Sequence, residues 1–333
     1  LTALDRGGPA QPLLIARGLE KRFPLDRRRF VHAVDGVSFD VAKGETLGVV
    51  GESGCGKSTL ARLLVDLIPP DAGELIFDGE AVGAPDGISK KALCRNVQMV
   101  FQDSYASLNP RMTIEATLAF GPRAHGTSRA AARARAHALL ATVGLDPARH
   151  GACFPHMLSG GQRQRVNIAR ALSLQPRLVI MDEPVSALDK SVEAQVLNLL
   201  LDLRRDLGLT YVFISHDLAV VRHVADRVMV MYLGQVVEIG PAEAVYGQAL
   251  HPYTRGLLAS RLSLDPKRRI DQAPLAGDPP SPVDPPPGCR FAGRCPYVEA
   301  VCSERAPILQ AKSGHAAACH MLVAGSGHRR APS

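Results

Sequence analysis

Nine residues, "GESGCGKST" (51–59), could do chemistry that nothing else in this 333-residue chain could do alone. They fit the spacing G-x-x-x-x-G-K-[ST] and lie between an apolar run, "ETLGVV", and a helical pattern that starts at Lys57. Glycine lets consecutive backbone N–H groups curl toward one centre, and such a concave array binds phosphate oxygens. A lysine at position 57 reaches the β- and γ-phosphates of a nucleotide, and the hydroxyl of Ser58 is placed to ligate Mg²⁺. The helix start adds its partial positive charge. The expected ATP-contacting set is therefore Gly51, Glu52, Ser53, Gly54, Cys55, Gly56, Lys57, Ser58 and Thr59. Cys55 fills a variable position of the loop and need not be reactive.

A second stretch, "RLVIMDEP" (177–184), completes such a site. A carboxylate at the end of a buried apolar strand, Asp182, can hold the Mg²⁺ shell opposite Ser58. Glu183 beside it can act on the attacking water, help worth ~10²–10⁴-fold in rate. A third stretch, "LSGGQRQR" (158–165), begins a helix with a serine and two glycines. Ser159, Gly160 and Gly161 leave backbone N–H groups open, which makes a second anion site. It stands well away from the phosphate loop in sequence, so its phosphate is expected to sit on another subunit.

"LSGGQ" resembles the signature motif of ATP-binding cassette (ABC) proteins. That resemblance implies two cassettes paired head to tail, each ATP lying between one phosphate loop and the other chain's Ser159, Gly160, Gly161 and Gln162. Further motifs follow in the family's order. Gln102 in "VFQD" resembles the Q-loop glutamine, which contacts Mg²⁺ and water. "SALD" (186–189) resembles the D-loop, and His216 in "ISHD" the switch histidine that touches the γ-phosphate. The aromatic that stacks on adenine is Phe23 in "EKRF" or, beyond the intervening "PLDRRR", Phe30. Within the family, "QDSYASLNPRMTI" (102–114), "EPVSALDKSVEAQVLNLL" (183–200), "HPYTRGLLAS" (251–260) and "GDPPSPVDPPPGCRFAGRCP" (277–296) resemble the ATPases of oligopeptide and dipeptide importers, over about residues 13–322. Nickel and glutathione importers share this subfamily. The resemblance implies a second ATPase subunit, identical or a sister, two transmembrane permease subunits and an extracytoplasmic solute-binding protein. It places the chain peripherally on the cytoplasmic face of the membrane.

These residues need elements to hold them. Short apolar runs at 45–51, 73–79, 95–103, 177–184, 210–217 and 226–240 read as strands. Helical patterns run from Lys57 to Leu67, through most of 113–172, and over 191–208, where Gly208 stops the helix. Strands alternating with helices predict an α/β fold with a mostly parallel sheet covered on both faces. The fold class expected is a P-loop NTPase (RecA-like) core with a β-rich subdomain, an inserted helical subdomain at about 104–172, and a small Cys/Pro-rich C-terminal extension. The cassette is assigned to 13–245 and the extension to 246–333. Residues 272–288 hold seven prolines and read as an extended linker.

Composition excludes several other functions. The chain is 46 % hydrophobic and 21 % charged, which reads as globular. It has no run of ~18 apolar residues for a membrane span and no basic–apolar signal at "LTALDRGGPAQPLL". An exporter usually fuses its cassette to membrane helices. The formal charge is +7, yet the densest basic tract, 121–140, mixes Arg with Ala and has no aromatics to stack bases, so nucleic acid is not an expected partner. Soluble ABC proteins that act on DNA or ribosomes typically carry two cassettes or a coiled coil; one copy of each motif and no sustained heptads stand here.

Four of the seven cysteines fall near the end of the chain: Cys289, Cys295, Cys302 and Cys319, with His320 next to the last. A cytosolic ATPase should not carry a disulfide knot. The spacing lacks the tight C-x₂₋₄-C pairs usual for structural zinc, whereas Cys₄ ligation of a [4Fe–4S] cluster tolerates wider loops. Similar tails in peptide-importer ATPases are linked to such clusters. The expectation is a [4Fe–4S] site, with zinc and free buried thiols as the alternatives.

Overall fold

The computed structural model describes residues 11–260, 277, 280–312 and 314–332. In chain order, β1 (Leu14–Pro24) and β2 (Phe30–Val41) precede β3 (Thr46–Val50) and α1 (Lys57–Leu64). Next come β4 (Ala72–Phe77), β5 (Glu80–Ala81), α2 (Lys90–Asn96) and β6 (Val97–Val100). Four helices follow: α3 (Ile114–Ala124), α4 (Arg129–Thr142), α5 (Pro147–His150) and α6 (Gly160–Leu172). The chain returns through β7 (Leu178–Asp182), α7 (Lys190–Leu207), β8 (Thr210–Ile214), α8 (Leu218–Val224), β9 (Arg227–Tyr232) and β10 (Gln235–Pro241). It ends with α9 (Ala242–Gly247), α10 (Pro252–Ala259), α11 (Ala300–Glu304), β11 (Gln310–Lys312) and β12 (His315–Ala317).

Every residue of β3, β7 and β8 is buried. Such strands have no solvent face, which is the signature of a sheet covered on both sides. Along β8 the burial alternates in destination: Tyr211 and Phe213 join one core, Val212 and Ile214 the other. The first core lies under α6, α7 and the helical segment; the second lies between the main sheet, α1 and the small sheet of order β2-β1-β4-β5. The main sheet has eight strands in the order β11-β12-β10-β9-β3-β8-β7-β6. From β9 to β6 all pairings are parallel, so the ends of β3 and β7 come out together on one side. That is where ligands bind in open α/β sheets.

The helical patterns end for identifiable reasons. Gly208 adopts φ 62 and closes α7. Thr113 and Ser128 cap α3 and α4 through their side chains. α4 buries only Ala132, Ala136 and Leu140, a stripe four residues apart that leaves its arginines outward.

Three expectations need revision. Residues 95–96 belong to α2, not to a strand, because the Ser89 side chain caps a short helix that runs to Asn96. The 226–240 run is two strands: Leu233 and Gly234, at φ 44 and 80, turn it into the β9–β10 hairpin, so the main sheet is mixed. The proline-rich run, described only at 277 and from 280 onward, is not a free spacer there. Val283 bridges Val31, and the His32 N–H donates to Pro282 O at 3.0 Å.

The tail also enters the main sheet. β12 pairs with β10 and β11 with β12. The fully buried Glu238 carboxylate receives the N–H groups of Leu250 and His251 and lies 2.7 Å from His315 Nε2. Gly240 makes room for that imidazole: a Cβ there would stand 2.6 Å from His315 Cδ2.

Candidate nucleotide site

The loop 51–56 links β3 to α1 and is wedged between β2 and the β9–β10 hairpin. Gly56, at φ 104, presses so close to β2 that a Cβ would lie 1.9 Å from Ala33 O; a Cβ on Gly51 would lie 2.2 Å from Met231 O. No other residue type fits either position. The hairpin tip holds the loop from the far side, since the Gly234 N–H donates to Cys55 O at 2.8 Å. Gly56 is also the N-cap of α1 and offers no side chain to its first turn. The backbone donors there are left for a ligand.

Lys57 is 5 % exposed, and its ammonium donates to the carbonyls of Gly51 (2.8 Å) and Glu52 (2.9 Å). It is thus held on the inside of the loop. The Ser58 hydroxyl donates to Asp182 Oδ1 at 3.0 Å. Asp182 is 4 % exposed, and burial pushes its carboxyl above the usual range, with Ser58 pulling it down and the neighbouring Glu183 pushing it up. A cation between these two oxygens would offset that cost. Hard oxygen donors of this kind, few and beside a phosphate loop, fit Mg²⁺.

Glu183 follows at the strand end in the left-handed region, φ 48, a conformation that costs a non-glycine residue about 1–3 kcal/mol and clusters at functional sites. Its N–H still donates to Ile214 O at 3.0 Å, so the turn is anchored on β8. The strain aims the carboxylate at two side chains from other loops. Gln102 Nε2 donates to Glu183 Oε2 at 3.2 Å, and His216 Nδ1 lies 3.1 Å from the same oxygen. Gln102 comes from the end of β6, His216 from the end of β8.

Ser159 caps α6 in a closed capping box: its Oγ accepts the Gln162 N–H at 3.3 Å, and Gln162 Oε1 accepts the Ser159 N–H at 2.9 Å. Gly161 lies against α7, where a Cβ would stand 2.5 Å from Val192 Cγ1. This segment has no hydrogen bond to the loop 51–59 among the described residues. Phe23 and Phe30 flank the loop end of the β1–β2 hairpin, both part exposed, with Lys21 Nζ 5.9 Å from the Phe23 ring centre.

The four tail cysteines line one cavity together with His251 and His320. No disulfide joins them. Burial, foremost, pushes Cys289 up to about 12 and Cys319 up to about 11, and raises Cys295; the other thiols of the group add to each shift. In chemistry the donor set suits a soft-metal site. Among the described residues, however, no three His, Cys, Asp or Glu side chains are arranged as a ready ligand set.

The sequence reading did not find the surroundings of Glu52. Its N–H donates to the hydroxyl of Tyr253 at 2.9 Å, and its carboxylate takes a fork from Arg294, Nη1 at 2.8 Å and Nη2 at 3.0 Å. Both partners lie in stretches quoted above only for the resemblance to peptide-importer ATPases, within "HPYTRGLLAS" and "GCRFAGRCP".

Fold and loops together define an ATP-hydrolysing cassette of the ABC class. Residues 34–186 match the family described as ABC transporter, and residues 237–302 match the oligopeptide/dipeptide transporter C-terminal region. The chain is 48 % identical over 316 residues to the dipeptide transport ATP-binding protein DppF of Escherichia coli, covering 93 % of this chain and 94 % of that one. It is 46 % identical over 323 residues to the oligopeptide transport ATP-binding protein AppF of Bacillus subtilis, covering 93 % and 98 %. Among solved structures, a dimeric post-hydrolysis state of the cassette MJ0796 bound to ADP and Pi superposes with TM-score 0.61 at 28 % identity, over 69 % of this chain and 98 % of that one. The cassette cbiO1 of Clostridium perfringens gives TM-score 0.62 at 27 % identity, over 71 % and 91 %. The chain belongs to the ATP-binding subunits of oligopeptide/dipeptide ABC transporters.

Proposed function

We propose that this chain hydrolyses ATP to drive an importer of short peptides from the cytoplasmic face of the membrane. The observation that carries the site assignment is the convergence of Gln102 and His216 on one oxygen of Glu183, beside the Ser58–Asp182 pair. The loop 51–59 takes the phosphates on its backbone N–H groups, and Lys57 turns its ammonium to the β- and γ-phosphates. Ser58 and Asp182 would hold Mg²⁺, with Gln102 beside them, and the ion supplies charge neutralisation as the γ-phosphoryl group leaves. Glu183 accepts the proton of the attacking water, oriented by Gln102 and His216. Phe23, or Phe30, stacks on the adenine. Ser159, Gly160, Gly161 and Gln162 complete the site of the opposing cassette.

Residues 13–245 form the cassette in this reading, with 104–172 as the subdomain that meets the permeases, and 246–333 form the extension. The chain works with a second ATPase subunit, two permease subunits and a solute-binding protein. No helix among the described residues is long and apolar enough to cross a membrane, in keeping with a peripheral subunit. The test is reconstitution with the permeases and binding protein in vesicles. Peptide-loaded binding protein should stimulate ATP hydrolysis and peptide uptake together; stimulation by a metal ion or glutathione complex, and not by peptides, would overturn the assignment of solute.

The same proposal gives the four cysteines a [4Fe–4S] cluster. The four cysteines lining one cavity favour it, since Cys₄ ligation is the usual donor set of such a cluster. Protein purified without oxygen should be brown, absorb broadly near ~400 nm and carry about four irons per chain. Cys295→Ser should bleach it. Colourless anaerobic protein with stoichiometric zinc, or no metal, rejects the cluster.

A further inference from the structure

We propose that Arg294 and Tyr253 are positioning residues of the nucleotide site, supplied by the C-terminal extension to hold the phosphate loop and to neutralise its one carboxylate. The inference rests on reading 51–59 as the phosphate loop.

Glu52 is fixed at each of its polar groups. Its carbonyl accepts from Lys57, its N–H donates to Tyr253, and its carboxylate is forked by Arg294. A residue held in this way cannot rotate its peptide units, so the neighbouring N–H donors stay aimed. The partners are themselves rigid. Tyr253 is fully buried, its ring 4.5 Å from Tyr232 and 5.5 Å from Phe291. Phe291 meets Tyr232 edge-on at 5.4 Å, and the Arg294 guanidinium lies over Tyr232 at 5.9 Å, its side chain 7 % exposed. An arginine laid against one ring in this way loses little freedom when it binds a carboxylate in two-pronged fashion.

Charge explains why the contact is ionic. A polyphosphate arrives at a loop that carries a carboxylate of its own. With Arg294 in place the pair is neutral; without it, a half-buried negative charge sits in the anion site and opposes the ligand. Arg294 stands directly before Cys295, and Phe291 two positions after Cys289, so the cysteine segment is the arm that carries this hand.

The measurement is MgATP affinity of the full chain, with kcat and KM beside it. Arg294→Met should weaken affinity about tenfold with kcat at saturation little changed, the low end of what a hydrogen-bonded charged partner is worth. Arg294→Lys should fall between. Adding Glu52→Gln to Arg294→Met should restore affinity to within about threefold of wild type, because the uncompensated charge is gone. Tyr253→Phe keeps the ring and should cost a few-fold in affinity, the range of one neutral hydrogen bond. If the double variant is no better than Arg294→Met, Arg294 is only a structural prop; if Arg294→Met and Tyr253→Phe both bind as wild type, the proposal is wrong. Should Arg294→Met fail to fold, Arg294→Lys with and without Glu52→Gln asks the same question. Lys57→Ala separates the two levels: undiminished affinity there sinks the phosphate-loop reading, whereas its loss alongside intact binding in the Arg294 variants sinks this inference alone.

Discussion

Two helices of this cassette begin at glycine-rich turns, and they begin in opposite ways. α1 starts at Gly56 with no side-chain cap, its loop pinned from outside by Ala33, Met231, Gly234, Tyr253 and Arg294. α6 starts at Ser159, which closes a capping box with its own Gln162, while Gly161 leans on α7 and Gln162 Nε2 lies 3.5 Å from His150 Nε2. The first helix start is unfinished locally and fixed by tertiary contacts. The second is self-sufficient and faces outward. A turn that must grip a phosphate needs rigid walls and spare donors. A turn that meets a ligand brought by another chain needs to keep its shape while exposed, and local capping does that.

The heaviest blow falls on the α1 side. Glu183→Gln should lower turnover by at least ~10²-fold while leaving ATP affinity intact, because the loop and Lys57 are untouched. ATP should then hold two cassettes together, seen as a shift to dimer on gel filtration. Turnover near the wild-type rate would remove Glu183 from the role of base and with it the asymmetry between the two ends.

Ser159→Arg asks whether the α6 end serves another chain. Hydrolysis should be lost, yet ATP affinity of the isolated monomer should not move. A drop in monomer affinity comparable to that of Lys57→Ala would mean that both helix starts serve one site in one chain.

The smallest effect should come from Ser159→Ala. The capping box loses its hydroxyl, at a cost of about 0.5–2 kcal/mol, read as a lowered melting midpoint. Affinity of the monomer for ATP should again be unchanged. A loss of stability at the low end or below it would show that the contact with α7, more than the cap, holds this turn.

Much of this was legible in the sequence because the groups concerned are contiguous. "GESGCGKST" places a strand, a turn and a helix in nine residues; Gly51 and Gly56 do stand where β9 and β2 leave no space for a Cβ, and Gly54, with open space around it, serves by its φ of 79. The largely apolar runs of β3, β7 and β8 announced a sheet buried on both faces. Long-range ion pairs were not legible: Arg294 and Glu52 are 242 positions apart, and Glu238 and His315 are 77 apart. No spacing rule connects such positions; only the folded sheet does. The β9–β10 hairpin was missed because its turn uses Leu233 before Gly234, without the Asn-Gly or Asp-Gly that usually marks such a turn.

The place of β12 in the main sheet has a practical consequence. Beyond β9, β10 would present an unpaired row of N–H and C=O groups if the tail were cut away. Such a margin is a template for intermolecular pairing and aggregation. Truncation before His315 would also strip the imidazole from a carboxylate that lies wholly inside the protein. A shortened cassette, prepared by deletion or by proteolysis, should therefore precipitate before it loses the ability to bind nucleotide, and the segment that resembles an accessory serves as the hem of the whole sheet.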